Sequence, residues 1–137
     1  MDLIDTVVYA GRIKNRDALK SSSSGGAFTV VSDFYLEKGD VVVALIYDYC
    51  EHSVRYHLIL SKGQRDQTKG SKYIQSKPKD VFREAYQWLV DHPYKHLLFV
   101  GTGCQAEGFR KYAEMKKNRE RVCIVDIVCH AAPSPKL

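Results

Sequence analysis

Two cysteines in this chain stand where a thiol could do chemistry. Cys104 follows Gly101-Thr102-Gly103 and precedes Gln105. The apolar run His96 to Val100 reads as a strand and Gln105 to Lys117 as a helix, which places the thiol at a strand-to-helix turn. A cysteine at a helix start has a lowered pKa, so its thiolate is favoured. Thiolate suits a nucleophile or an iron–sulfur ligand, and the plainer alternative is a small buried residue in a tight turn. Cys129, followed by His130, stands just past another apolar run, Arg121 to Val128. If the two strands are parallel neighbours, both thiols open onto one crevice, where open α/β sheets put ligands. Zinc would need two more ligands nearby, and the chain has no Cys-x-x-Cys pair. With no small, loop-rich framework and no export signal, reduced thiols or metal ligands are expected rather than disulfides.

A second group of residues could hold an anion. Ser21 to Ser24 and Gly25-Gly26 lead into a helix. Serines bring hydroxyls, glycines allow close backbone approach, and the helix start presents free N–H groups, so Ser23, Ser24, Gly25 and Gly26 are candidates for a phosphate. The loop lacks the lysine of a P-loop, and an ordinary capped loop is the competing reading. Lys62, Arg65, Lys69, Lys72, Lys77 and Lys79 stand against Asp66 alone, a local excess equal to the net charge of +5. Such a patch favours an anionic partner, unless it is simply a solvated loop. Lys72 and Tyr73 lie at its centre. The other candidates read as structural. His92 and His96 flank Pro93, which breaks the helix a metal pair would need, and His52 and His57 read as surface residues. Cys50 and Cys123 read as structural, Cys123 as a small hydrophobe in a strand, and Trp88 reads as core.

Eight elements must position these residues. Val7 to Ile13 reads as a first strand, and Ala27 to Lys38 as a helix with Phe28, Val31, Phe34 and Tyr35 inward, capped by Ser24 or a neighbour. Val41 to Tyr47 reads as a strand buried on both faces, and Ser53 to Leu60 as its antiparallel neighbour. Ser61 to Ser76 has no periodicity and reads as a functional or mobile loop. Lys79 to Asp91 is an amphipathic helix with Val81, Phe82, Ala85, Trp88 and Leu89 inward. With His96 to Val100, Gln105 to Lys117 and Arg121 to Val128, the expectation is an α/β fold, a mixed β-sheet flanked by helices. Its interior strands are expected to be Val41 to Tyr47, His96 to Val100 and Arg121 to Val128. At 137 residues, 45% hydrophobic and 27% charged, the chain is sized and composed for a single globular domain. Met1 to Ala10 carries Asp2 and Asp5 where a signal peptide needs basic residues, and no apolar run could span a bilayer, so the cytoplasm is expected.

Four strings occur in order: SSSSGGAF (Ser21 to Phe28), GSKYIQS (Gly70 to Ser76), GTGCQAEG (Gly101 to Gly108) and VDIVCHAAPSPK (Val125 to Lys136). They resemble the coenzyme F420 hydrogenase/dehydrogenase beta-subunit family across nearly the whole chain. The resemblance implies FAD, a 4Fe-4S cluster, and transfer of electrons or hydride to an acceptor such as coenzyme F420. It implies cofactor binding at Ser23, Ser24, Gly25, Gly26, Lys72, Tyr73, Gly101 and Thr102, cluster ligands at Cys104 and Cys129, and other redox subunits or domains as partners. Two thiolates cannot close a four-iron cluster. The expectation is therefore a piece of a longer oxidoreductase, residues 1–137 lacking upstream ferredoxin-like and downstream cysteine-containing regions. Two positions depart from the family pattern, Gly103 for a proline and Ala131 for a glycine; both bear on cofactor affinity rather than fold. The competing functions are a degenerate structural domain and a basic module for an anionic partner, with nucleic acid disfavoured because it leaves GTGC and CHAAPSP unexplained.

Overall fold

The computed structural model describes residues 6–78 and 80–133. Asp2, Asp5, Lys79 and residues 134–137, which include the end of the last motif, lie outside the described residues. The four strands are β1 (Val41–Asp48), β2 (Ser53–Ile59), β3 (Leu97–Thr102) and β4 (Val122–Ile127). The helices are α1 (Arg16–Lys20), α2 (Ala27–Leu36), α3 (Lys62–Asp66), α4 (Val81–Asp91) and α5 (Gly103–Met115). The strands make one sheet in the order β2-β1-β3-β4. β2 is antiparallel to β1, while β1, β3 and β4 are parallel. The expected mixed α/β sheet is therefore the observed one. Among the described residues no helix is long and apolar enough to cross a membrane.

β1 and β3 are continuous apolar runs because both faces of the sheet are covered. On one face Val41, Val43, Leu97, Phe99 and Val122 meet Val81, Ala85 and Leu89 of α4 and Phe109 and Ala113 of α5. Phe99 stacks against Phe109 at 4.4 Å and against Tyr56 at 5.2 Å between ring centroids. On the other face Val42, Ala44, Leu98 and Val100 pack with Ile59 and with Phe28, Val31, Tyr35 and Leu36 of α2.

Several expectations need correction. Val7 to Ile13 is not a strand. The segment pairs with neither sheet edge; Ile13 instead donates its N–H to the Gly25 carbonyl, and Val7, Val8 and Tyr9 stay exposed. Alternating apolar residues make a strand only where a ladder partner is within reach. Arg121 to Val128 is not interior: β4 is an edge strand with only Val122 buried, so Cys123 is exposed rather than a packed hydrophobe.

α2 packs Phe28, Val31 and Tyr35 inward as expected, but not Phe34. Thr29 and Ser32 are buried and Phe34 is exposed. The reason is Arg65 of α3, whose guanidinium enters here and donates to the Thr29 carbonyl and Ser32 Oγ. No serine caps α2. Gly26 does, at φ 76°, while Ser22 Oγ bonds the Ala18 carbonyl and Thr29 Oγ1.

Candidate functional site at the C-terminal rim

The parallel pairing sets the location. Thr102 of β3 lies beside Ile127 of β4. Cys104 and Cys129 each follow two residues later, so both lie at one rim of the sheet, as their positions after strands suggested, and both are exposed. Only four residues separate the end of α2 from the start of β1. That tight reversal runs α2 back along the strand, and Phe28, Val31 and Tyr35 pack on β1 and β3. The start of α2, with the serine-glycine loop, therefore points to the same rim.

The basic segment arrives beside it. Lys69 Nζ donates to Ser21 Oγ at 3.1 Å, which joins the basic loop to the serine loop. Between the end of β1 and this segment lies a groove of about 660 Å³, lined by Ile46, Tyr47, Tyr49, Lys69, Lys72 and Tyr73, among others. Tyr47 and Tyr49 meet edge to face at 4.7 Å, and Tyr73 is 78% exposed. Sequence reasoning named Lys72 and Tyr73 but missed Tyr47 and Tyr49, because nothing in a strand's text says that its end will face a loop.

The positive charge is less free than its count suggested. Arg65 is buried and pairs with Asp33 at 2.8 Å and Asp66 at 3.0 Å. Lys62 reaches Glu37 at 2.6 Å, and Lys69 reaches Asp66 at 2.9 Å. Asp33 lies on α2 and Glu37 caps its C-terminal end, outside residues 61–79. Lys72 folds back, its Nζ donating to the carbonyls of Thr68 at 2.7 Å and Gly70 at 3.0 Å. Half burial lowers its pKa below the ordinary lysine value. Lys77 is exposed beside a single bridge to Arg55.

The glycines are packed by the chain itself. A Cβ on Gly25 would lie 2.4 Å from the Gly11 carbonyl oxygen, and one on Gly26 would lie 2.3 Å from Ile13 Cδ1. That close approach is to residues 11–13. Ser23 and Ser24 remain exposed on the same loop. At Gly101 a Cβ would strike the Tyr56 hydroxyl at 2.6 Å and Phe99 at 2.8 Å.

Thr102 and Gln105 form a capping box at the head of α5. The pattern Thr-x-x-Gln ahead of a helix is the sequence signal for it. Gln105 Oε1 accepts from the Tyr56 hydroxyl at 2.7 Å and from Thr102 Oγ1 at 3.0 Å, and its Nε2 donates to Ser76 Oγ at 2.7 Å. Burial pushes the Tyr56 hydroxyl well above the ordinary tyrosine pKa, with Cys104 adding to the shift, so it remains a donor. Thr102 Oγ1 also lies 3.5 Å from Cys104 Sγ.

Cys50 is exposed in the β1–β2 turn, its amide donating to Asp48 Oδ1. His52 and His57 are at the surface, and Trp88 packs half-buried on α4, stacked on His92. Among the described residues no three His, Cys, Asp or Glu side chains are grouped as a metal site would need. Cys104 and Cys129 supply two thiolates, too few to enclose a four-iron cluster.

The fold and its rim define an α/β domain of the kind that gathers ligand-facing loops at the carboxyl ends of parallel strands. The family model for the C terminus of the coenzyme F420 hydrogenase/dehydrogenase beta subunit matches residues 94–137. A chain of the F420-reducing NiFe hydrogenase complex from Methanosarcina barkeri shares the fold, with TM-score 0.74 and 19% identity over 91% of this chain. This chain spans 44% of the length of that one. No curated protein matches it. The matched segment carries two of the four motifs, GTGCQAEG and VDIVCHAAPSPK, and the structural likeness shows a shared fold.

Proposed function

We propose that the chain is a flavin-binding domain of an oxidoreductase, passing electrons or hydride between FAD, an iron–sulfur centre and an acceptor such as coenzyme F420. The observation that carries this reading is the groove at the C-terminal rim, which combines aromatic rings with lysines beside a serine loop. Tyr47, Tyr49 and Tyr73 offer faces for a ring system. Lys69 and Lys72 supply charge toward phosphates, and Ser23 and Ser24 supply hydroxyls on the adjoining loop. Gly25 and Gly26 shape that loop, and Gly101 and Thr102 shape the turn before Cys104. Flavin, when bound, supplies the redox chemistry.

Cys104 and Cys129 are proposed as two ligands of a cluster completed by other thiolates, and redox subunits or domains are the proposed partners. The described residues alone do not close that cluster. A cytoplasmic location goes with this reading.

The test is a fluorescence titration of FAD into the chain and its Tyr73→Ala variant. Tyr73 is exposed, so its ring can be removed without disturbing the core. Base–aromatic stacking is worth about 1–3 kcal/mol, which sets an expected loss of roughly tenfold in affinity. Tyr94→Ala, 92% exposed and beside a separate groove at the opposite rim, is the control and should bind as the parent does. Equal binding by all three proteins would remove the groove as the flavin site.

A further inference from the structure

We propose that Gln105 is a positioning residue that clasps the Gly70–Ser76 loop to the head of α5 and thereby sets the wall of the groove. The inference rests on the proposed flavin reading only in its last step, the effect on cofactor affinity. The side chain is held at both ends. Its oxygen accepts from the hydroxyls of Tyr56 at 2.7 Å and Thr102 at 3.0 Å. Its nitrogen donates to Ser76 Oγ at 2.7 Å and to the Ser76 carbonyl at 3.3 Å. The carbonyl can only accept, so a flipped amide would set two acceptors against each other. Position 105 therefore needs a donor end and an acceptor end, which Glu and Met cannot both supply.

The loop has few other ties to the fold. Lys72 bonds carbonyls of residues 68–70, within the same segment. Among the described residues the loop's backbone ties are Gln75 N–H to the Pro133 carbonyl at 3.1 Å and, one residue past Ser76, the bridge of Lys77 to Arg55 of β2. Ser76 and Tyr56 are buried, so the clasp works where water does not compete. Ser71, Lys72, Tyr73 and Ile74 lie just before Ser76 and line the groove. Through one side chain, the turn carrying Cys104 and the wall of the groove share a position.

Hydrogen exchange of the amides of residues 70–76 tests the clasp in the chain without any ligand. Gln105→Met and Gln105→Glu should each raise exchange there about tenfold, with β1 and β3 unchanged. Ser76→Ala should act in the same direction, and the Gln105→Met/Ser76→Ala pair should be no worse than Gln105→Met alone, because both remove one interaction. If Gln105→Met fails to fold, Ser76→Ala, which deletes one hydroxyl, carries the test. Unchanged exchange at 70–76 in these variants, or additive effects in the pair, overturns the proposal. FAD titration of the same variants should show a tenfold loss of affinity. Raised exchange with parent-like FAD binding would support the clasp and refute the groove as the flavin site.

Discussion

Replacing Gly101 with alanine separates two reasons for a glycine at the end of β3. If Gly101 serves only to let a cofactor approach, the substitution leaves the fold intact and harms binding alone. The packing says otherwise. The new methyl would lie 2.6 Å from the Tyr56 hydroxyl and 2.8 Å from a ring carbon of Phe99. Neither neighbour is a loose chain end. Tyr56 and Phe99 are buried and stacked, and the Tyr56 hydroxyl is bonded to Gln105. Overpacking of this kind costs roughly 1–3 kcal/mol. Pushing the hydroxyl off Gln105 adds about 1 kcal/mol for the hydrogen bond. A total of about 3 kcal/mol lowers Tm by roughly 10 °C in a chain of this size.

Thermal unfolding followed by circular dichroism reads this directly, and Tyr56→Phe sharpens it. Phenylalanine removes the hydroxyl that the methyl strikes while leaving Phe99 in place. In that background Gly101→Ala should cost about 1–2 kcal/mol less than in the parent, the coupling expected of groups in contact. A parent-like Tm for Gly101→Ala would refute the packing argument. So would an equal cost in both backgrounds, since the hydroxyl would then not be what the methyl meets.

Two further substitutions test what holds the basic loop. Arg65→Met removes a buried guanidinium from the Thr29 carbonyl, Ser32 Oγ and Asp33. Breaking a buried pair costs about 3–5 kcal/mol, so a large fall in Tm is expected, and a shift no larger than that of the exposed Lys62→Met would refute the role given to Arg65. Asp66 has its carboxyl pKa lowered, first by Lys69 and then by Arg65. A depressed carboxyl stabilises the fold above its unfolded value of about 3.9, and that stabilisation is lost as pH falls through the lower folded value. The Tm gap between the parent and Asp66→Asn should therefore narrow from about pH 6 to about pH 2.5, and a constant gap would count against it.

What the sequence made legible follows from how local each signal is. β1, β3, α4 and α5 were readable because unbroken apolar runs and helical spacing report burial directly. The shared rim of Cys104 and Cys129 was readable because a helix between two parallel strands returns the chain to the same edge. Other features depended on partners distant in sequence. Asp33 sits on α2 and Glu37 at its C-cap, so a count over residues 61–79 missed these counterions to its lysine and arginine. Gly25 and Gly26 suggest a cradle for a ligand in text, yet Gly11 and Ile13 fill the space beside them. Gln105 makes the same point from the other side. Its neighbour Cys104 drew attention because a thiol can react, whereas an amide looks inert. Yet the amide bonds Tyr56, 49 positions away, and Ser76, 29 positions away. Two of the four motifs, GSKYIQS and GTGCQAEG, are thus joined through side chains that do no chemistry themselves. The reactive residues could be picked out by type, but the residues that hold them in place could be recognised only once the fold had brought their partners together.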